Sequence, residues 1–254
     1  MSSSPFPIVD GHVHWGRWST ERAGWPGCDL ARIRAALDRA GIGGAAIMPS
    51  DLGENEALAA AIASDPEGLH LFAWIHASDP ARTMRFLESH NGSIAGLKIH
   101  PSVERKAVTD PAWRPFLEFA ERWRLPVIVH SGRWQEIASW RFCLDVAERH
   151  PEAAIIVAHL GGDLPELQRD CAHEMAVRSL PNAYLGTESI REYYSIRLAL
   201  DLLGPQRLLF GSDFPLGWPA AYLAVFDGAD PSDEARRLVL GENLLRLIRG
   251  RRTE

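Results

Sequence analysis

Two histidines stand two residues apart in "IVDGHVHWG" (residues 8–16), directly behind an apolar opening. Residues i and i+2 of an extended strand point to the same face. His12 and His14 therefore present two imidazoles side by side, enough for part of a metal shell and too few to complete one. Further candidates recur at the ends of other short apolar runs: His76 in "LHLFAWIHAS", Lys98 and His100 in "GLKIHP", His130 in "VIVHSG", His159 in "VAHLGG" and Asp213 in "LLFGSDFP". Imidazoles joined by one carboxylate suit a borderline ion such as zinc or manganese, and three or four protein ligands leave a position open for water.

Residues so far apart meet only if the fold brings strand ends together. Strand candidates lie at 7–14, 43–50, 69–78, 94–101, 125–132, 153–162, 182–189 and 207–215, each bounded by Gly, Pro, Ser or Asp. They lack strict alternation, as buried parallel strands do. Helical patterns fill 29–41, 54–66, 80–90, 110–124, 136–151, 163–177, 191–204 and 232–250. Strict alternation over this length predicts a (β/α)8 TIM barrel, a single domain over 1–254, with the first strand near 7–14, the eighth near 207–215 and a closing helix at 232–250. An open doubly wound sheet is the rival, but no GxGxxG follows an early strand. In a barrel the C-terminal strand ends share one rim, which is where His12, His14, His130, His159 and Asp213 fall. Taken singly, His70, His76, His90, His150 and His173 read as hydrogen-bonded core or surface residues.

The segments "DGHVH", "GLKIHP", "VIVHSG", "VAHLGG" and "LLFGSDFP", in this order, resemble the amidohydrolase superfamily, most of all its compact amidohydrolase-related (ACMSD-like) branch of metal-dependent hydrolases and decarboxylases. The late "GENLLRLI" is similar to the helix that closes many of these chains. The resemblance implies that His12, His14, His130 and Asp213 hold the metal and that His159 faces its water. It also leaves open a two-metal site, with a carboxylated Lys98 as the bridge and His159 on the second ion. One zinc ion is the expected cofactor, with manganese as the alternative.

A divalent ion supplies hydroxide near neutral pH and polarises a carbonyl. Asp213 would then move the proton and His159 orient the water or steady the oxyanion. These parts suit hydrolysis of an amide, ester or lactone. They also suit non-oxidative decarboxylation of an aromatic or enoic acid, and a barrel that has lost its chemistry but still binds is a third reading. Hydrolysis is favoured because decarboxylase members tend to carry larger insertions than this chain does. Trp15, Arg17 and Trp18, with Arg22 and Trp25 in the insertion 15–28, offer flat walls and carboxylate forks near the rim, as do Arg133 and Trp134, Arg191, Tyr193 and Tyr194, and Trp218. His100 shares the face of Lys98 and is a further candidate for substrate contact. The expected substrate is a small carboxylated cyclic compound. Glu188 in "GTES" is expected to project into the site and to disfavour a strongly anionic group nearby.

The net charge of −6 gives no footprint for nucleic acid. No apolar run is long enough for a transmembrane helix, and "MSSSPFP" is not a signal peptide. Cys28, Cys143 and Cys171 are odd in number and widely spaced, which predicts a reduced, cytoplasmic protein without disulfides. The partners expected are a small-molecule substrate and, as an open option, a second copy in a homodimer.

Overall fold

The computed structural model describes residues 6–132 and 134–252. Its strands are β1 (Val9–Trp15), β2 (Gly44–Pro49), β3 (Leu69–Trp74), β4 (Ile94–Ile99), β5 (Val127–Val129), β6 (Ile155–Val157), β7 (Ala183–Gly186) and β8 (Leu208–Leu209). They pair in parallel in the order β1-β2-β3-β4-β5-β6-β7-β8. The ring is closed between β1 and the segment after β8, where Gly11 N donates to Phe210 O at 2.8 Å, Asp213 N to His12 O at 2.9 Å and His14 N to Phe214 O at 2.7 Å. The barrel expected from the alternation is what forms.

Alternate strand residues face two layers. Outward ones such as Ile47, Leu71, Leu97, Val129 and Ile155 join the core under the helices. Inward ones such as Val9, Met48, Phe72, Ile128 and Leu209 fill the barrel itself. The helices are α1 (Leu30–Ala40), α2 (Asn55–Ser64), α3 (Pro80–Ser89), α4 (Pro101–Glu104), α5 (Arg114–Trp123), α6 (Gln135–Ala138), α7 (Trp140–Arg149), α8 (Pro165–Arg178), α9 (Tyr193–Leu203), α10 (Pro219–Gly228), α11 (Asp233–Arg237) and α12 (Asn243–Arg249). Local signals set several ends. Asp29 caps α1 by accepting from Arg32 N, and Gly41 stops it at a left-handed φ of 70°.

Three departures from the expected elements have local causes. The apolar helix α10, "PAAYLAVFDG", has little polar face, so its sequence carries no helical period; it packs between α1 and α9. The closing helix runs unbroken over 233–249 but carries a π turn, Leu238–Glu242, between α11 and α12. There the Val239 carbonyl accepts Phe210 N at 2.9 Å, which draws it out of the helix ladder. Asn243 in "GENLLRLI" then ties α12 to β8 by donating to Leu208 O at 2.8 Å. Finally, β6 and β8 end well before 162 and 215: β6 stops at Val157, just before His159 and Leu160 with left-handed φ values of 58° and 50°, and the segment after β8 turns at Asp213, φ 61°. These turns lie at the rim. Among the described residues no helix is long and apolar enough to cross a membrane.

Candidate metal centre and active site

His12 and His14 project from β1 into the barrel mouth, 1% and 5% exposed. Each is fixed through Nδ1. His14 Nδ1 lies 3.1 Å from the Pro49 carbonyl, and His12 Nδ1 lies 3.0 Å from Glu188 Oε1. An oxygen acceptor at Nδ1 places the proton there, so both Nε2 atoms keep their lone pairs. Those atoms converge on Asp213 Oδ1, at 3.7 Å from His12 Nε2 and 3.3 Å from His14 Nε2. The other carboxylate oxygen, Oδ2, accepts Ser189 Oγ at 2.8 Å. The ligand atoms of His12, His14 and Asp213 all lie within 4.8 Å of one another. Two acceptor nitrogens and an anionic oxygen, each held by a second partner, fit a divalent ion.

Electrostatics follow from this burial. Burial and the Lys98 amine push the His12 imidazole down to about 4, so it is neutral at neutral pH. Burial works against the Glu188 charge, but His12 beside it brings the carboxyl down to about 2. Asp213 is likewise opposed by burial and is held well below the usual carboxylate range by His14 and His12. Burial lowers Lys98 to about 8.

Glu188 reaches into the site and serves there as an anchor. Its carboxylate is 2% exposed and committed, since Oε1 accepts from His12 Nδ1 and from His159 N at 3.2 Å. It anchors a ligand, and its negative charge stays in the mouth beside a neutral His12. Space explains two glycines beside it: a Cβ on Gly186 would fall on Glu188 Oε2, and one on Gly211 would meet Glu188 Cβ and His12 Cβ at 3.1 Å. Asp10, also not foreseen, ties the two ligand segments together. Its Oδ1 accepts His12 N at 3.1 Å and Ser212 N at 2.9 Å.

His159, His130 and His100 form a row along the rim. His159 Nδ1 lies 3.1 Å from the Glu188 carbonyl, and His159 Nε2 lies 3.0 Å from His130 Nδ1. His130 is thus turned toward His159 and stands outside the three-residue ligand group. Its ring stacks on His100 at 3.9 Å, and His100 stacks on Trp74 at 5.6 Å. Lys98 is 1% exposed, with Nζ 3.1 Å from His12 Nε2. His76 is paired with Glu104 at 2.9 Å and His150 with Glu121 at 2.7 Å.

The insertion after β1 folds over this mouth. Its base is closed by Gly16 N to Cys28 O at 2.7 Å and Cys28 N to Gly16 O at 3.0 Å. The Trp18 ring sits 5.0 Å from His14, and Trp25 meets Trp18 edge-on at 5.0 Å. Buried Asp51 latches the loop by accepting Ser19 N at 2.9 Å, Ser19 Oγ at 2.5 Å and Arg22 Nη1 at 2.5 Å. Arg22 is therefore spent on Asp51. Trp15 follows His14 by one residue, so it faces the other way and packs on the core under the helices. Arg17 is exposed, as are Trp134, Tyr193, Tyr194 and Trp218. Arg133 lies outside the described residues.

No curated protein sequence matches the chain. Among solved structures it is similar to a 2,6-dihydroxybenzoate decarboxylase from Rhizobium, with a TM-score of 0.77 and 17% identity over 96% of this chain and 99% of that one. It is also similar to a dihydroxybenzoic acid decarboxylase from Polaromonas with bound manganese and the inhibitor 2-nitroresorcinol, at a TM-score of 0.71 and 16% identity over 96% and 97%. A third similar structure is a proposed 2-pyrone-4,6-dicarboxylic acid hydrolase from Pseudomonas putida, at a TM-score of 0.72 and 17% identity over 96% and 97%. At such identities the likeness speaks for the fold. The amidohydrolase family model matches residues 9–250, spanning β1 through α12. With its strand-end histidines and Asp213 gathered at one rim, the chain is an enzyme of the amidohydrolase family.

Proposed function

We propose that this enzyme is a divalent-metal-dependent hydrolase of a small carboxylated cyclic compound, opening an amide, ester or lactone. The observation that carries the proposal is the preset donor group. His12 Nε2, His14 Nε2 and Asp213 Oδ1 face one point, and each residue is locked by a partner on its other polar atom. Zinc is the proposed ion and manganese the alternative, with His130 as a further ligand if its ring turns from His159. When bound, such an ion supplies an activated water and Lewis acidity. Asp213 accepts the proton of the attacking water and returns it to the leaving group. His159, held through Nδ1 by the Glu188 carbonyl, has its Nε2 freed to orient the nucleophile when His130, now 3.0 Å from it, turns to the ion. Trp18 covers the mouth and excludes bulk water.

Decarboxylation of an aromatic acid is the second reading, favoured by the decarboxylases among the similar structures. A panel of lactones, amides, esters and aromatic carboxylic acids, assayed with zinc and then with manganese, separates the two. Hydrolysis of a carboxylated member is the expected result. Carbon dioxide release without hydrolysis of any member would make the enzyme a decarboxylase.

A further inference from the structure

We propose that Lys98, Trp74 and His100 form a donor-only subsite that takes the substrate's carboxylate inside the barrel mouth, beside the metal position. The proposal rests on the metal-dependent reading above and places the carboxylate away from the rim arginines.

Trp74 and Lys98 are register partners on the adjacent strands β3 and β4, so their side chains leave the sheet on the same face. Lys98 is directed into the mouth, where its Nζ meets His12 Nε2 at 3.1 Å. The Trp74 backbone is clamped by Asn55, with Trp74 N donating to Asn55 Oδ1 at 2.7 Å and Asn55 Nδ2 to Trp74 O at 2.8 Å. Its ring is fully buried between His100, 5.6 Å away, and His14, 6.5 Å away. Yet the indole Nε1–H meets no acceptor in the structure. A buried donor without a partner is costly and uncommon in native proteins. His100 adds a second donor of fixed position. Its Nδ1 accepts Val103 N at 3.3 Å, so the neutral ring carries its proton on Nε2.

The fate of the Lys98 donor leads to the same ligand. The lone pair of His12 Nε2 that Lys98 now meets is one of those facing the metal position. A cation held there takes that acceptor from Lys98. The Nζ–H of Lys98, 1% exposed, is then left without its acceptor close to the equally unpartnered Trp74 Nε1–H. A carboxylate from outside accepts from Lys98 Nζ and from the orphaned indole N–H together. The mouth offers this anion donors from one side only, β3 and β4, opposite the seam that bears Asp213. Two oxygens on one carbon match two or three such donors better than a single neutral carbonyl does.

The test uses full-length protein labelled with ¹⁵N-tryptophan, zinc-loaded in one arm and chelator-treated in the other, with benzoate as the anionic probe and benzamide as its neutral isostere. Trp74→Phe removes one indole resonance and so assigns it. Benzoate is expected to move that resonance downfield, and benzamide to leave it in place. Trp74→Phe should weaken benzoate binding about tenfold, with benzamide binding and zinc affinity unchanged. A crystal of the zinc-loaded wild-type protein with benzoate asks the same question without a variant, and a carboxylate oxygen within hydrogen-bond distance of Trp74 Nε1 is expected. The subsite is refuted if benzoate does not bind, or if it binds while the resonance stays still. Equal loss of benzoate and benzamide in Trp74→Phe refutes it too, as do two zinc ions per chain on a carboxylated Lys98. Failure to bind zinc with the indole shift intact would sink the hydrolase proposal and leave the subsite. Zinc binding with a stationary resonance would do the reverse.

Discussion

Glu188 Oε1 lies 3.0 Å from His12 Nδ1, across the barrel mouth from β7 to β1. This single contact sets the His12 tautomer and aims Nε2 at the metal position. Partners of this kind are worth about 10- to 100-fold in metal affinity elsewhere. Glu188→Gln keeps the size but offers a weaker, neutral acceptor and can present a donor to Nδ1 instead. Zinc affinity, measured by competition with a chromophoric chelator, is expected to fall by about 10-fold or more. Unchanged affinity would mean that His12 is held by other contacts.

Asp213 sits at a left-handed φ of 61°. Asn tolerates that region as well as Asp does, so Asp213→Asn tests chemistry without backbone strain. Loss of a ligand charge and of the proton carrier should lower turnover by at least about 100-fold on whichever panel substrate is active. Circular dichroism should stay unchanged. Turnover within a few-fold of wild type would remove Asp213 from the proton path.

How far the site was legible in the sequence follows from which contacts are local. The His12/His14 pair shows because a strand has a period of two, and Asp213 shows because barrel strand ends share a rim. The anchors do not show. Nothing in "GTES" says that Glu188 lies under His12, 176 residues away, nor that Gly186 and Gly211 are small to make room for it. The unpartnered Trp74 donor is equally silent, since an aromatic in an apolar strand reads as core. In the fold, α10 was hidden by its uniform apolarity and the π turn by a carbonyl given to a distant strand.

Asp51 has no role visible in its own segment, yet it receives Ser19 N, Ser19 Oγ and Arg22 Nη1. Asp51→Ala releases all three. Backbone amides in residues 17–27 should then exchange at least about tenfold faster by hydrogen–deuterium exchange, while the amides of β4 and β5 keep their protection. Loss of protection spread evenly over the barrel would show that Asp51 stabilises the whole fold and does not serve as a latch.

Stability should depend on pH with a definite sign. Burial holds His12, His100 and His130 below the usual 6.5, His12 at about 4, so they stay neutral where the unfolded chain takes up protons. Each therefore costs stability as pH falls below 6.5. Glu188, at about 2 when folded against an ordinary 4.5, adds a loss between those values. Asp10 acts the other way. Burial raises it to about 7 from 3.8, so within that window the folded state holds a proton that the unfolded state releases. The urea midpoint of chelator-treated protein should fall as pH drops from 7 to 4.5 and fall faster below 4.5. Asp10→Asn removes the opposing contribution, so its midpoint should fall more steeply than that of wild type between 7 and 4.5. A shallower fall would contradict the sign assigned to Asp10.

Gly186 separates the chemistry of the Glu188 anchor from its position. The residue lies at the end of β7, two before Glu188, and an added Cβ would occupy the place of Glu188 Oε2. Its φ is not in the left-handed region, so Gly186→Ala brings no backbone penalty of that kind. The substitution pushes an intact carboxylate away from His12 Nδ1 while leaving every ligand in place. If the anchor works by position, Gly186→Ala should lose zinc affinity in the same direction as Glu188→Gln. The double variant should then lose little more than either single change, because both break the same contact. Fully additive losses would show that the alanine acts by general overpacking of the barrel, and a wild-type affinity would show that Glu188 can yield without releasing His12.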